Sequence, residues 1–95
     1  MASYELTRKA AADLRGIYRY GFREHGKARA THYKRSLDAQ FQKIADEPLR
    51  FPKTGFRDSY RYSVHQPYTI YFRLIDANRV QIVRILRGQD PRQAL

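Results

Sequence analysis

The spacing of apolar residues changes once along the chain, from a helical period to a strand period. In the first half, Ala10, Leu14, Ile17, Tyr18 and Gly21 share one face of a predicted helix. Ala30, Tyr33, Leu37, Phe41, Ile44 and Ala45 share one face of a second. Thr7 stands where a side chain caps the first helix, after a short possible strand at Tyr4–Leu6. His25-Gly26 breaks the pattern between the helices, and Asp46-Glu47-Pro48 ends the second, because proline disfavours helical backbone at the residue before it. Gly16 points outward on the first helix. Gly21 points inward, where a missing side chain lets another helix approach.

After an irregular connection from Leu49 to Ser59, the period becomes two. Tyr60–His65, Tyr68–Leu74 and Arg79–Arg87 alternate apolar and polar residues, with turn residues at Gln66-Pro67 and Asp76-Ala77-Asn78 between them. The order of strand, helical hairpin, loop and meander predicts a single α+β domain over residues 1–95, with the hairpin packed on a curved antiparallel sheet. Strand 68–74 places Tyr68, Ile70, Phe72 and Leu74 on one face and Thr69, Tyr71 and Arg73 on the other. In the last strand Val80, Ile82 and Leu86 oppose Val83 and Ile85, so both faces read as apolar. Two helices cover one face. The other needs loops, the C-terminal tail or another chain.

Charge sharpens this picture. The chain has 95 residues, a net charge of +10 and no cysteine, which excludes disulfides, thiol catalysis and cysteine-bound zinc. A pI near 10.3 points to nucleic acid, an acidic protein or an anionic surface. The first residues form no apolar leader and no run reaches transmembrane length, so a soluble cytoplasmic protein without membrane contact is expected. From Pro48 onward the cations are Arg50, Arg57, Arg61, Arg73, Arg79, Arg84, Arg87 and Arg92 with Lys53, against Asp58, Asp76 and Asp90. Strands hold such side chains in fixed directions, and the planar guanidinium suits carboxylate or phosphate. Arg61, Tyr68, Arg73, Arg84 and Arg87 are the candidate binding residues. The alternative for these arginines is internal ion pairing, with Asp76 and Asp90 as partners. Arg8, Arg15, Arg19 and Arg23 line one side of the first helix, either as a solvated face or as a dock for acidic protein or DNA. His25, His32 and His65 lack metal spacing and acid partners, and read as surface or turn residues. No metal or cofactor is expected.

The succession Leu14-x-x-Ile17-Tyr18-x-Tyr20, Tyr33-x-x-x-Leu37-x-x-x-Phe41-x-x-Ile44-Ala45-x-x-Pro48, Tyr68-x-Ile70-Tyr71-Phe72-Arg73 and Val80-x-Ile82-Val83-Arg84-Ile85-Leu86 resembles the RelE/ParE toxins of toxin–antitoxin modules. The resemblance runs from Tyr4 to about Asp90 and is closest to the ParE branch. It implies the same hairpin-on-sheet fold and a hetero-oligomer with a cognate acidic ParD-like antitoxin whose C-terminal segment wraps the toxin. Where ParE-like members usually have histidine after the last strand, this chain has Arg87; the following turn is Gly88-Gln89-Asp90. RelE-like members cleave messenger RNA in the ribosome with arginines, lysines and a terminal tyrosine or histidine. Tyr68 replaces their mid-strand arginine, and Arg92-Gln93-Ala94-Leu95 offers no acid or base. ParE-like members poison DNA gyrase by binding it. The resemblance thus implies gyrase as target and no catalytic residue. The alternatives are a ribosome-dependent endoribonuclease and a basic nucleic-acid-binding module; the latter lacks a helix-turn-helix or RNP-like motif.

Overall fold

A computed structural model describes residues 2–95. In chain order it contains β1 (Ser3–Leu6), α1 (Arg8–His25), α2 (Lys27–Asp46), a 3-10 turn (Pro48–Arg50), β2 (Tyr60–His65), β3 (Tyr68–Asp76), β4 (Arg79–Leu86) and α3 (Pro91–Ala94). The four strands lie in the order β1-β4-β3-β2. β2, β3 and β4 form the antiparallel meander expected from the alternation. β1 joins the edge parallel to β4, with Tyr4 opposite Val80 and Leu6 opposite Ile82, so the sheet is mixed.

Local chemistry explains the helical hairpin. The Thr7 hydroxyl accepts the Ala10 N–H at 3.0 Å, closing the first turn of α1. Gly26 alone separates α1 from α2, at φ +86°, a conformation costly for residues with a Cβ. Its N–H donates to Phe22 O and its carbonyl accepts from Ala30 N, so one residue ends one helix and begins the next. At Gly21 the helices do come together, but an added methyl would meet Ala30 Cβ at 3.6 Å, an ordinary contact. The close approach therefore does not demand glycine.

Ala10, Leu37, Phe41 and Ile44 from the helices and Ile70, Phe72, Val80, Ile82 and Ile85 from the sheet form one core. This corrects the alternation expected for β4. Val80, Ile82 and Ile85 all face the helices because a bulge interrupts the ladder: Phe72 pairs with Ile82, but Tyr71 pairs with Arg84, leaving Val83 as the extra residue. A strict count by twos slips one residue there. Counted so, Ile82 and Ile85 fall on opposite faces and Val83 shares the face of Ile85, whereas Ile82 and Ile85 share the core face.

β1 stops at Leu6, and Thr7 and α1 take the backbone groups on the β4 edge beyond it. Thr7 N–H donates to Ile82 O at 3.0 Å and its hydroxyl to Val83 O at 2.8 Å. Asp13 Oδ2 accepts the Ile85 N–H at 3.0 Å. An open strand edge is thereby closed without another strand. On the face opposite the helices, Leu86 is only 3% exposed, so the chain itself covers that end of the sheet. Arg84 ties the tail there through Ala94 O, and Arg57 holds Leu95 O. Val64, on the same face of β2, remains 57% exposed.

Candidate partner-binding surfaces

The five candidate residues do not form one cluster. Strand register puts Arg61, on edge strand β2, opposite Phe72 on the helix-covered face, whereas Arg73 and Arg84, opposite Gln81 and Tyr71, lie on the other face. Tyr68 and Arg87 line a common groove beside the Gly26 turn of the hairpin.

Arg84 is held more firmly than any other arginine of the sheet. Its Nε and Nη2 donate to Asp13 Oδ2 and Oδ1 at 2.8 and 3.0 Å, and its Nη1 donates to Ala94 O at 3.0 Å. Side-chain exposure is 19% for Arg84 and 16% for Asp13, so solvent screens the pair less than a surface bridge. The hydrogen bonds that Arg84 donates to Asp13 raise its pKa above its already high ordinary value. Asp13 thus joins α1, β4 and the tail. It escapes sequence reading because 71 residues separate it from Arg84; its position beside the α1 apolar stripe is the only local signal.

The other arginines have looser roles. Arg61 donates to Phe51 O at 2.6 Å, fastening the 48–59 connection to β2. Arg73 donates to Gln81 Oε1 at 2.8 Å from an exposed position. Asp76 and Asp90 instead pair with Arg79 and Arg92. Hydrogen bonds, from the Asn78 N–H first for Asp76 and from the Arg92 side chain first for Asp90, hold both carboxyls below the usual carboxylate range. The Arg87 side chain is exposed and belongs to none of the ion pairs among the described residues.

Arg87 sits on the rim of a groove of about 510 Å³ floored by Leu14, Ile17, Tyr33 and Tyr68. Arg29 and Lys34 add positive charge to the same rim. Tyr33 organises its base: the hydroxyl lies 3.1 Å from His65 O and 3.0 Å from Gln66 O, sharing its proton with the β2–β3 turn. Burial pushes its pKa up to about 12, so it remains a donor at neutral pH. The ring packs against Tyr68 at 6.1 Å and His65 at 5.6 Å. His65 Nε2 meets Ser36 Oγ at 3.0 Å, and burial lowers its pKa. The apolar floor and cationic rim suit an amphipathic acidic segment. Among the described residues, no group of three or more His, Cys, Asp or Glu could hold a metal.

A helical hairpin on a curved sheet, with β1 added to the edge, is the architecture of the RelE and ParE toxins. A solved chromosomal ParDE toxin–antitoxin system from P. aeruginosa aligns at a TM-score of 0.78 and 26% identity, covering 94% of this chain and 98% of that one. The toxin–antitoxin complex RelBE2 from Mycobacterium tuberculosis aligns at 0.67 and 18% identity, covering 90% and 96%, and shares the fold. Toxin ParE1 of Caulobacter vibrioides is 33% identical over 87 residues, 90% of this chain and 88% of that protein. The family described as "ParE toxin of type II toxin-antitoxin system, parDE" matches residues 4–91. The chain belongs to the ParE toxin family of type II toxin–antitoxin systems.

Proposed function

We propose that this toxin acts in the cytoplasm on DNA gyrase, by binding rather than by chemistry of its own, and that a cognate acidic ParD-like antitoxin neutralises it in a hetero-oligomer. The observation that carries the choice of target is the commitment of Arg84 and Arg61 to internal partners. Arg84 is consumed by Asp13 and Ala94 O, Arg61 by Phe51 O, and Tyr68 occupies a position where a phosphate-binding arginine would serve a nuclease. Metal-free RNA cleavage needs free cations around a scissile phosphate and a nearby acid or base. His65 sits instead behind Tyr33 and Ser36. The antitoxin reading is supported by the +10 charge and by the apolar groove rimmed with Arg29, Lys34 and Arg87, which favour fast, salt-sensitive capture of an acidic segment. Among the described residues, no helix is long and apolar enough to cross a membrane.

Induced expression without the antitoxin tests this reading. The expected result is growth arrest with DNA-damage signalling and no early fall in translation. Rapid codon-phased cuts in ribosome-bound mRNA with intact chromosomes would contradict it.

A further inference from the structure

We propose that the outer face of the sheet carries a stacking site for an unpaired base of single-stranded nucleic acid. Tyr62 on β2 and Tyr71 on β3 are cross-strand partners on the face away from the helices. Their ring centroids lie 6.4 Å apart at an interplanar angle of 38°. Thr54 and Phe56 from the 48–59 connection, Thr69 from β3 and Pro91 from the tail complete a shallow cavity of about 250 Å³ around them. Three aromatic rings and a proline in so small a cavity leave room for one planar group. None of these residues belongs to the groove rimmed by Arg87.

Charge selects the occupant. The next row on the same face is Tyr60 opposite Arg73, two residues or about 7 Å along the strands. The Arg57 guanidinium lies 5.3 Å from the centre of the Tyr60 ring. Among the described residues neither Arg57 nor Arg73 joins a salt bridge; Arg73 donates to the neutral Gln81 and Arg57 to Leu95 O. Asp90, the acid that bears on Tyr71, is paired with Arg92. Rings beside free guanidiniums, within the reach of one nucleotide, hold a single strand by its base and its phosphate together. A duplex keeps its base faces in its own stack and answers the charges alone. A run of carboxylates likewise offers no flat face to the rings, and the guanidiniums repel a cationic ligand that the rings would otherwise hold. The proposal stands whether or not gyrase is the target.

The purified toxin is titrated with a labelled thymidine strand of about ten nucleotides, followed by fluorescence anisotropy. The same strand with its bases removed, and polyglutamate, are the comparisons. The proposal expects saturable binding of the intact strand, at least about fivefold tighter than either comparison, and weaker at higher salt. Tyr71→Leu should weaken it about fivefold and leave the abasic strand unchanged, whereas Arg73→Ala should weaken both strands alike. A strand carrying iodouracil, irradiated in the complex, should cross-link to Phe56, Tyr62 or Tyr71, and annealing its complement should abolish the cross-link. The cross-link and the abasic comparison use the unaltered chain, so they decide the matter even where Tyr71→Leu unfolds. Equal binding of the abasic strand or of polyglutamate, cross-links confined to other residues, a cross-link that survives annealing, or no binding would each overturn the proposal.

Discussion

On the helix-covered face of the sheet, Ile70, Phe72, Val80, Ile82 and Ile85 interlock with Ala10, Leu37, Phe41 and Ile44, and nothing polar is needed to hold them. On the outer face of the same strands, Leu86 is buried beside Arg84, and the cover is a loop and a tail fastened by guanidiniums. The first face is stabilised by area and close packing, which many sequences satisfy. The second depends on a few directed contacts that fail together when one partner is lost. The comparison also separates Arg84 from Arg87, three positions apart on the chain: the first is a structural tie and the second a free charge on a groove rim.

Truncation in the core should have the largest effect. Phe72→Ala is expected to cost about 3–5 kcal/mol in denaturant titrations, because the cavity it leaves lies between the sheet and α2. Asp13→Ala should come next, at about 2–4 kcal/mol, because it strands a half-buried guanidinium and leaves the Ile85 N–H without its acceptor. A double-mutant cycle with Arg84→Ala should give a coupling above about 1 kcal/mol. Additive losses would mean that the two faces are held alike. Arg73→Ala and Arg87→Ala should change stability by no more than about 0.5 kcal/mol, and at least one should weaken toxicity or antitoxin capture.

A smaller effect concerns pH. Burial favours neutral His65, so its folded pKa lies below the ordinary value of 6.5. The unfolded chain then binds the proton more readily, and its contribution to stability is complete above the unfolded pKa. It is lost as pH falls through 6.5 toward the lower folded value. Denaturation midpoints measured between roughly pH 7 and 5 should fall in the wild type and fall less in His65→Gln. One effect has the opposite sign. Gly16 has open space around its missing Cβ, so Gly16→Ala should add about 0.5–1 kcal/mol.

The helical half was legible in residue spacing because each helix carries its own apolar stripe, its Thr7 cap and its Gly26 stop. The three meander strands were legible for the same reason. What escaped was the bulge at Val83, since period-two counting has no local mark for an added residue, and the parallel docking of β1, a long-range choice. The candidate arginines were visible as a class, but their division was not. Arg84 is committed by an acid on another element, and Arg87 is freed because Asp90 serves Arg92. Residue type is the same for both, and no local signal marks Asp13 as the partner of Arg84 until the fold brings α1 alongside β4.

The central claim, action on gyrase by binding alone, is tested most directly with purified components. Toxin is mixed with gyrase, ATP and plasmid, and in parallel with translating ribosomes and a defined mRNA. The account predicts accumulation of covalent gyrase–DNA cleavage complexes, prevented by the acidic antitoxin, with the mRNA intact. Cleaved mRNA in the ribosome reaction, with gyrase turning over undisturbed, would contradict it.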